Sequence, residues 1–429
     1  MTSKKHINII TLGCSKNLVD SEKIMGQLQH GPFRITHDAD GPSDIVVINT
    51  CGFIGDAKEE SIDTILQYTE AKKQGLVQEV IVTGCLSQRY KDALQKEIPE
   101  ADAWFGVDNP SELFTYLKHK YNEGSQERLI TTPSHFAYLK IAEGCDRTCS
   151  FCAIPLIRGK FISRSVESLV EEAAELARKG VKEILLIAQD LSYYGFDLEK
   201  RSMLADLLRE LVKVSGIEWI RLHYAYPKNF PTEVIDLMAK EPKICRYLDI
   251  PLQHISDPVL KSMRRNTDKA STLALLEAFR SKVPDVALRT TLLVGYPGET
   301  MAQFEELLAF VKETRFERLG VFTYSPEEGT KAFELEDTIS DKEKQKRADK
   351  IMEAQQEISF QLNQEKIGKT FRVLIDREED DYFVGRTEYD SPEVDNEVYV
   401  TKQDDIVTAE FYSVRITSAS DFDLFGEKI

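Results

Sequence analysis

Three cysteines within eight residues, in Glu143-Gly144-Cys145-Asp146-Arg147-Thr148-Cys149-Ser150-Phe151-Cys152, constrain this chain more than any other feature. Three thiolates cannot close the four-ligand tetrahedron of a structural zinc. A cubane iron-sulfur cluster held by three cysteines instead leaves one iron open to a small molecule. Two blander readings compete: a zinc knuckle borrowing a distant ligand, for which His135 is nearest, and a set of unliganded core thiols. Zinc patterns come as paired Cys-x2-Cys or Cys/His knuckles, and Cys145-x3-Cys149-x2-Cys152 has no second pair beside it. The spacing therefore favours a cluster with one free coordination position.

Three further cysteines follow a different rule. Ile7 to Gly13, Asp44 to Thr50 and Glu79 to Gly84 are short apolar, β-branched runs, and each is followed by a helix-like stretch. A weaker fourth unit runs from Ala101 to Phe105 and then Ser111 to Lys118. Alternating strands and helices predict an open parallel α/β sheet with all carboxyl ends on one edge. Cys14, Cys51 and Cys85 each close a strand at that edge, where open α/β sheets bind their ligands. Buried filler thiols would explain one such residue. Three in register predict a second three-cysteine cluster.

From Phe136 to about Phe322 strands and helices alternate again, giving six strand candidates and a partial (β/α) barrel whose active face is the carboxyl ends. Ser165 caps a helix that Gly180 ends, and Thr300 with Gln303 forms a capping box. The strand ends carry Gln189, Asp190, His223, Gln253, His254 and the turn Gly295-Tyr296-Pro297-Gly298-Glu299. Of these, Gln189, Gly295, Gly298 and Glu299, together with Arg264, are the candidate small-molecule contacts. Met263-Arg264-Arg265 is a weaker entry of the same kind, since two adjacent arginines are usually solvated, and Cys245 reads as a buried thiol.

Ser340 to Gln364 reads as a charged helix bridging two domains, with Ala348, Ile351, Met352, Ile358 and Leu362 as its apolar side. Beyond it, Thr370 to Ile375, Tyr382 to Thr387, Glu397 to Val400, Ile406 to Tyr412 and a run near Val414 predict a small antiparallel β-barrel, a common RNA-binding shape. Residues 364–429 hold 8 Lys and Arg against 17 Asp and Glu, a net of −9 within a chain total of −17. Such a surface repels phosphates and disfavours nucleic acid as substrate; a basic protein is the better match. The expected domains are 1–130, 131–363 and 364–429. No apolar run reaches the roughly 20 residues of a bilayer span, and the start leads directly into a strand without a secretory h-region, so the expected location is the cytoplasm. Seven cysteines are an odd number for a disulfide framework, in keeping with reduced thiols.

Thr11-Leu12-Gly13-Cys14-Ser15-Lys16-Asn17, Asn49-Thr50-Cys51-Gly52-Phe53, Thr83-Gly84-Cys85, the Glu143 to Cys152 run, Gly295 to Glu299 and the closing barrel, which looks like a TRAM domain, resemble the radical S-adenosylmethionine (SAM) methylthiotransferases. The likeness covers essentially the whole chain. It implies two [4Fe-4S] clusters, one on Cys145, Cys149 and Cys152 that cleaves SAM to a 5′-deoxyadenosyl radical, and an auxiliary one on Cys14, Cys51 and Cys85 that carries the inserted sulfur. Ser391-Pro392-Glu393-Val394-Asp395 and Asp421 to Gly426 resemble the branch that modifies a ribosomal protein rather than tRNA. That branch implies β-methylthiolation of an aspartate in small-subunit ribosomal protein S twelve (uS12), with a reductant such as flavodoxin or ferredoxin. A tRNA methylthiotransferase is the alternative and predicts a basic tail. A non-enzymatic iron-sulfur binding protein is the more distant one and predicts closed four-cysteine sites.

Overall fold

Strands β1 (Lys5–Thr11), β2 (Phe33–His37), β3 (Ser43–Thr50), β4 (Val77–Gly84) and β5 (Ala103–Trp104) form a sheet of order β2-β1-β3-β4-β5, parallel throughout. A computed structural model describes residues 4–122 and 125–429 of the chain. Because side chains alternate across a strand, Ile7, Ile9, Ile45 and Val47 pack on one face with α1 (Ser15–Leu28) and α4 (Pro110–Tyr116). Ile10, Val46, Ile48, Val80 and Val82 pack on the other with α2 (Gly55–Lys73) and α3 (Cys85–Glu97). Strand β2 was not expected from sequence. It is an edge strand whose Arg34, Ile35, Thr36 and His37 are at most half-buried, so it lacks the apolar run of its neighbours.

The second sheet has order β13-β12-β11-β10-β9-β6, every pair parallel, and does not close: an open, six-stranded partial barrel. Its strands are β6 (Phe136–Lys140), β9 (Glu183–Ile187), β10 (Trp219–Leu222), β11 (Ile244–Asp249), β12 (Ala287–Val294) and β13 (Arg318–Thr323). Between β6 and β9 lie β7 (Ala142–Glu143), α5 (Ile154–Arg158) and β8 (Ile162–Ser163), with β7 and β8 paired as a small ladder that brackets the three-cysteine loop. The helices are α6 (Val166–Arg178), α7 (Phe196–Glu199), α8 (Leu204–Leu211), α9 (Thr232–Lys240), α10 (Asp257–Ser262), α11 (Lys269–Lys282), α12 (Met301–Thr314) and α13 (Asp341–Gln364). Ser165 caps α6, and Thr300 with Gln303 forms the capping box of α12, as their spacing predicts. Outward residues such as Leu139, Ile184, Leu186, Leu222 and Leu248 pack with Leu169, Leu208, Val234 and Phe304 of the helical layer. Helix α13 lies on this barrel, its Gln355 amide donating to Phe316 O at 2.9 Å, and its end reaches the last domain through Asn363 and the Ser420 and Asp421 carbonyls.

The final barrel is closed, in the order β14-β15-β16-β18-β17, from β14 (Thr370–Glu378), β15 (Tyr382–Arg386), β16 (Val398–Thr401), β17 (Phe411–Ala419) and β18 (Leu424–Lys428). Two expectations change. Ile406 to Tyr412 is not a strand: Ile406 caps the barrel core while Val407 is 59% exposed, and extended pairing starts only at Phe411. The barrel is also not wholly antiparallel, because β18 enters beside β16 in parallel and closes it.

The loop from Arg386 to Asn396 leaves this small barrel and enters the larger one. Arg221 donates to Glu388 O and Arg318 pairs with Asp390. Ser391 Oγ meets His223 Nε2 at 2.9 Å, and the Tyr138 hydroxyl donates to Glu393 at 2.9 Å. Arg289 bridges Asp249 and Asp395 at 3.1 and 3.3 Å. Every one of these barrel partners is an inward-facing polar side chain, so the loop fills the lower lumen as a polar plug.

Candidate functional site

The Cys145–Cys152 loop leaves the carboxyl end of the barrel and is tied down at several points. Cys145 N donates to Gly159 O at 3.1 Å, Ser150 N to Met263 O at 3.0 Å, and Phe161 N to the Asp146 carboxylate at 3.0 Å. Phe151 packs on Val259, Met263, Tyr296 and Tyr324, which accounts for an aromatic just before the last cysteine. Burial pushes the Cys145 thiol up to about 11 and the Cys152 thiol up to about 12, and Cys149 adds to both. Arg265 answers that charge: its guanidinium is 3.5 Å from Cys149 Sγ and 4.2 Å from the Tyr226 ring, on which Arg147 also stacks at 4.2 Å. Arg147 is fixed in turn by Asp190 at 2.7 Å.

Cys14, Cys51 and Cys85 meet at the carboxyl edge of the first sheet. Each thiol lies close enough to raise another: burial lifts Cys51 with Cys14 adding to it, and burial lifts Cys85 to about 11 with Cys14 and Cys51 adding and Arg158 opposing. Two glycines make the approach possible. Gly13, at φ +88°, would place a Cβ 2.8 Å from Cys51 Sγ, and Gly84, at φ +102°, would drive one to 2.4 Å from the Thr50 backbone.

The two thiol sets face each other across α5. Ala153, next to Cys152, and Ile157 pack directly on Cys85. Arg158 then donates to Asp20 at 2.6 Å, contacts Glu143 at 3.2 Å and reaches Asn17, whose Oδ1 also accepts from the Cys85 thiol at 3.5 Å. Lys140 joins Asp20 and Glu143 into the same buried network. Among the described residues no three Cys, His, Asp or Glu side chains gather round a point that one metal ion could fill. Sulfur donors beside the cationic Arg265 and Arg158 have the donor chemistry that an iron-sulfur cluster would take.

His135 is not part of this chemistry. It precedes β6, at the opposite end of that strand from the Cys145 loop, and bonds Asp376 of the small barrel at 2.7 Å. Among the expected small-molecule contacts, Gln189 lies in the site: its amide donates to Glu143 at 3.0 Å while its buried carbonyl oxygen has no partner among the described residues. Gly298 has open space beside it, whereas Gly295 abuts Lys344. Glu299 is internal, its carboxylate held by Gly295 N, His254 and Arg347, so it braces the turn. Arg264, the arginine chosen from sequence, is exposed at φ +55°, and its neighbour Arg265 is the one buried against the thiols. Two adjacent arginines in a turn give no period from which to tell which faces in. His223 is buried on the plug, and burial with Arg221 and Arg289 nearby pushes its pKa down, so it is neutral.

Family profiles match the chain in three places: the uncharacterized protein family UPF0004 over residues 6–106, the radical SAM superfamily over 139–311, and the TRAM domain over 367–429. The ribosomal protein uS12 methylthiotransferase RimO of Christiangramia forsetii is 58% identical over 99% of this chain and 95% of its own length. That of Flavobacterium johnsoniae is 57% identical over 99% and 98%. Among solved structures, the radical SAM methyltransferase TsrM of Kitasatospora setae matches 74% of this chain and 72% of its own at a TM-score of 0.55 and 14% identity, a likeness of fold. Identity of this order over nearly the full length of both chains places it within one family: it belongs to the RimO methylthiotransferases of the radical SAM superfamily.

Proposed function

We propose that this chain places a methylthio group on the β-carbon of an aspartate in ribosomal protein uS12, using two [4Fe-4S] clusters and SAM. Cys145, Cys149 and Cys152 hold one cluster, and Cys14, Cys51 and Cys85 hold the other. The reading rests above all on the convergence of two three-thiol sets, from the carboxyl edges of two separate sheets, across α5. When bound, the clusters and SAM supply the radical, the sulfur and the methyl group. The chain's own side chains do the rest. Arg265 lies beside Cys149 and Arg158 beside the Cys85 site, and they oppose the burial that raises the Cys152 and Cys85 thiols respectively. Gln189 and the open backbone at Gly298 are the SAM contacts, with Arg265 in place of Arg264. The polar plug and the Phe151 cluster exclude water from the lumen around a reactive intermediate. An acidic closing barrel suits a basic ribosomal protein better than tRNA. Among the described residues no helix is long and apolar enough to cross a membrane; we place the enzyme in the cytoplasm, reduced by a flavodoxin or ferredoxin.

An anaerobic single-turnover assay tests the reading. The iron-reconstituted protein is given dithionite, sulfide and SAM, with purified uS12 or tRNA as acceptor, and products are weighed by mass spectrometry. Replacement of one hydrogen by SCH3 on uS12 alone is the expected result; modified tRNA in its place overturns it.

A further inference from the structure

One largely buried lysine near Cys14 has no carboxylate partner among the described residues. Lys16, two residues after Cys14 in the first turn of α1, is only 9% exposed, and among the described residues no carboxylate stands within ion-pair distance of it. Asp20, one turn further along the helix and the natural partner, is committed to Lys140 and Arg158. The ammonium sits 3.2 Å from the centroid of the Tyr224 ring. A cation–π contact offsets part of the desolvation of a buried ammonium but leaves its charge unneutralised. Tyr224 itself holds a left-handed φ of +63°, its N–H donating to Asp249 at 3.2 Å, so the ring is fixed at the carboxyl end of β10. Lys16 thus spans the gap between the first sheet's thiols and the barrel mouth, close enough to His223 to disfavour its protonation.

We propose that Lys16 binds the side-chain carboxylate of the acceptor aspartate and thereby selects it, an assignment that rests on the aspartate-modifying reading above. A single compact ammonium facing an aromatic floor suits one carboxylate. The carboxylate of SAM is the other source of the same chemistry. That molecule belongs on the Cys145–Cys152 side, where Arg147 and Arg265 already stack on Tyr226, whereas Lys16 stands on the side of Cys14. The acceptor must reach the sulfur source as well as the radical, and Lys16 stands two residues from Cys14 with its ammonium on Tyr224 at the carboxyl end of β10.

The test compares binding of fluorescently labelled uS12 with that of the same protein carrying Asn at its acceptor aspartate, by anisotropy, to the full-length reconstituted chain. Wild type should prefer the aspartate form by roughly tenfold, the effect of leaving a buried charge unpaired. Lys16→Met should bind both forms alike, with wild-type iron content and wild-type SAM affinity, and Lys16→Arg should restore a preference. A full preference in Lys16→Met overturns the assignment, as does a loss of SAM affinity or of iron, which would place the ammonium on those groups. Failure of wild type to bind either form overturns the functional reading itself, and so separates the two failures.

Discussion

Gly13 carries a hydrogen where any other residue would put a methyl group into the Cys51 thiol. Two effects act there, the backbone strain of an L residue at positive φ, costing about 1–2 kcal/mol, and a clash at 2.7 and 2.8 Å with Cys51 Cβ and Sγ. Gly41 separates them, since it has φ +101° and nothing within 4 Å. Gly13→Ala should therefore lose about half of the reconstituted iron, the share held by one of the two proposed clusters, while Gly41→Ala loses stability alone. Iron and sulfide per chain, with a thermal melt of each variant, check this. At this scale the sequence located the six cysteines, because their spacing and their place at strand ends are local facts; that they hold clusters is the proposal above. It was a poor guide to Arg265 and Lys16. Their meaning lies in what they face, Cys149 and Tyr224, more than a hundred residues away in each case.

Among the elements, the plug of residues 386–396 is the one that local pattern could not reveal. Strand periodicity correctly gave six barrel strands and the first parallel sheet. It failed where short runs lack neighbours to set their register, as in Ile406 to Tyr412, and where a loop is ordered by partners from another domain. Ser391 to Asp395 could be read from sequence only as a family mark; its contacts to His223, Tyr138 and Arg289 are what give it a structural role. The plug depends on pairing of buried charge. Removing one member of a buried pair strands the other, at a cost of roughly 3–5 kcal/mol, while replacing both with apolar side chains is near neutral. Asp390→Ala, which orphans the Arg318 guanidinium, should thus lower stability in urea by about 3 kcal/mol. Arg318→Met with Asp390→Leu should recover most of it. Equal losses in the single and double variants would show that the plug is held by packing and not by charge.

Across the whole molecule, the same economy of buried charge joins the first domain to the barrel. Arg128, in the segment between them, is locked between Glu22 of α1 and Glu172 of α6, and Arg164 closes the group at 2.6 Å. A second clasp runs from Lys58 and Arg89 to the buried Glu327, with Arg89 also bonding Gly52 O beside Cys51. Burial alone would raise the Glu172 carboxyl, but Arg128 and Arg164 overcome it and hold the pKa at about 2, below an ordinary value of 4.5. A carboxyl whose folded pKa is depressed stabilises fully above its unfolded pKa and loses that contribution as pH falls through the folded one. The junction should therefore lose on the order of 3 kcal/mol between pH 4.5 and pH 2. Asp20, held at about 2 by Lys140 and Arg158 against burial, titrates over the lower part of the same window and loosens the α5 junction with it. Both thiol sets depend on these two joints for their mutual placement, so acid should separate the domains before it unfolds them. Denaturation followed by far-ultraviolet circular dichroism and by small-angle scattering at pH 7, 4 and 3 checks this order of events. Glu172→Gln should be less stable at pH 7 and show a flatter decline below pH 4.5; an unchanged slope would place the acid-sensitive joint elsewhere.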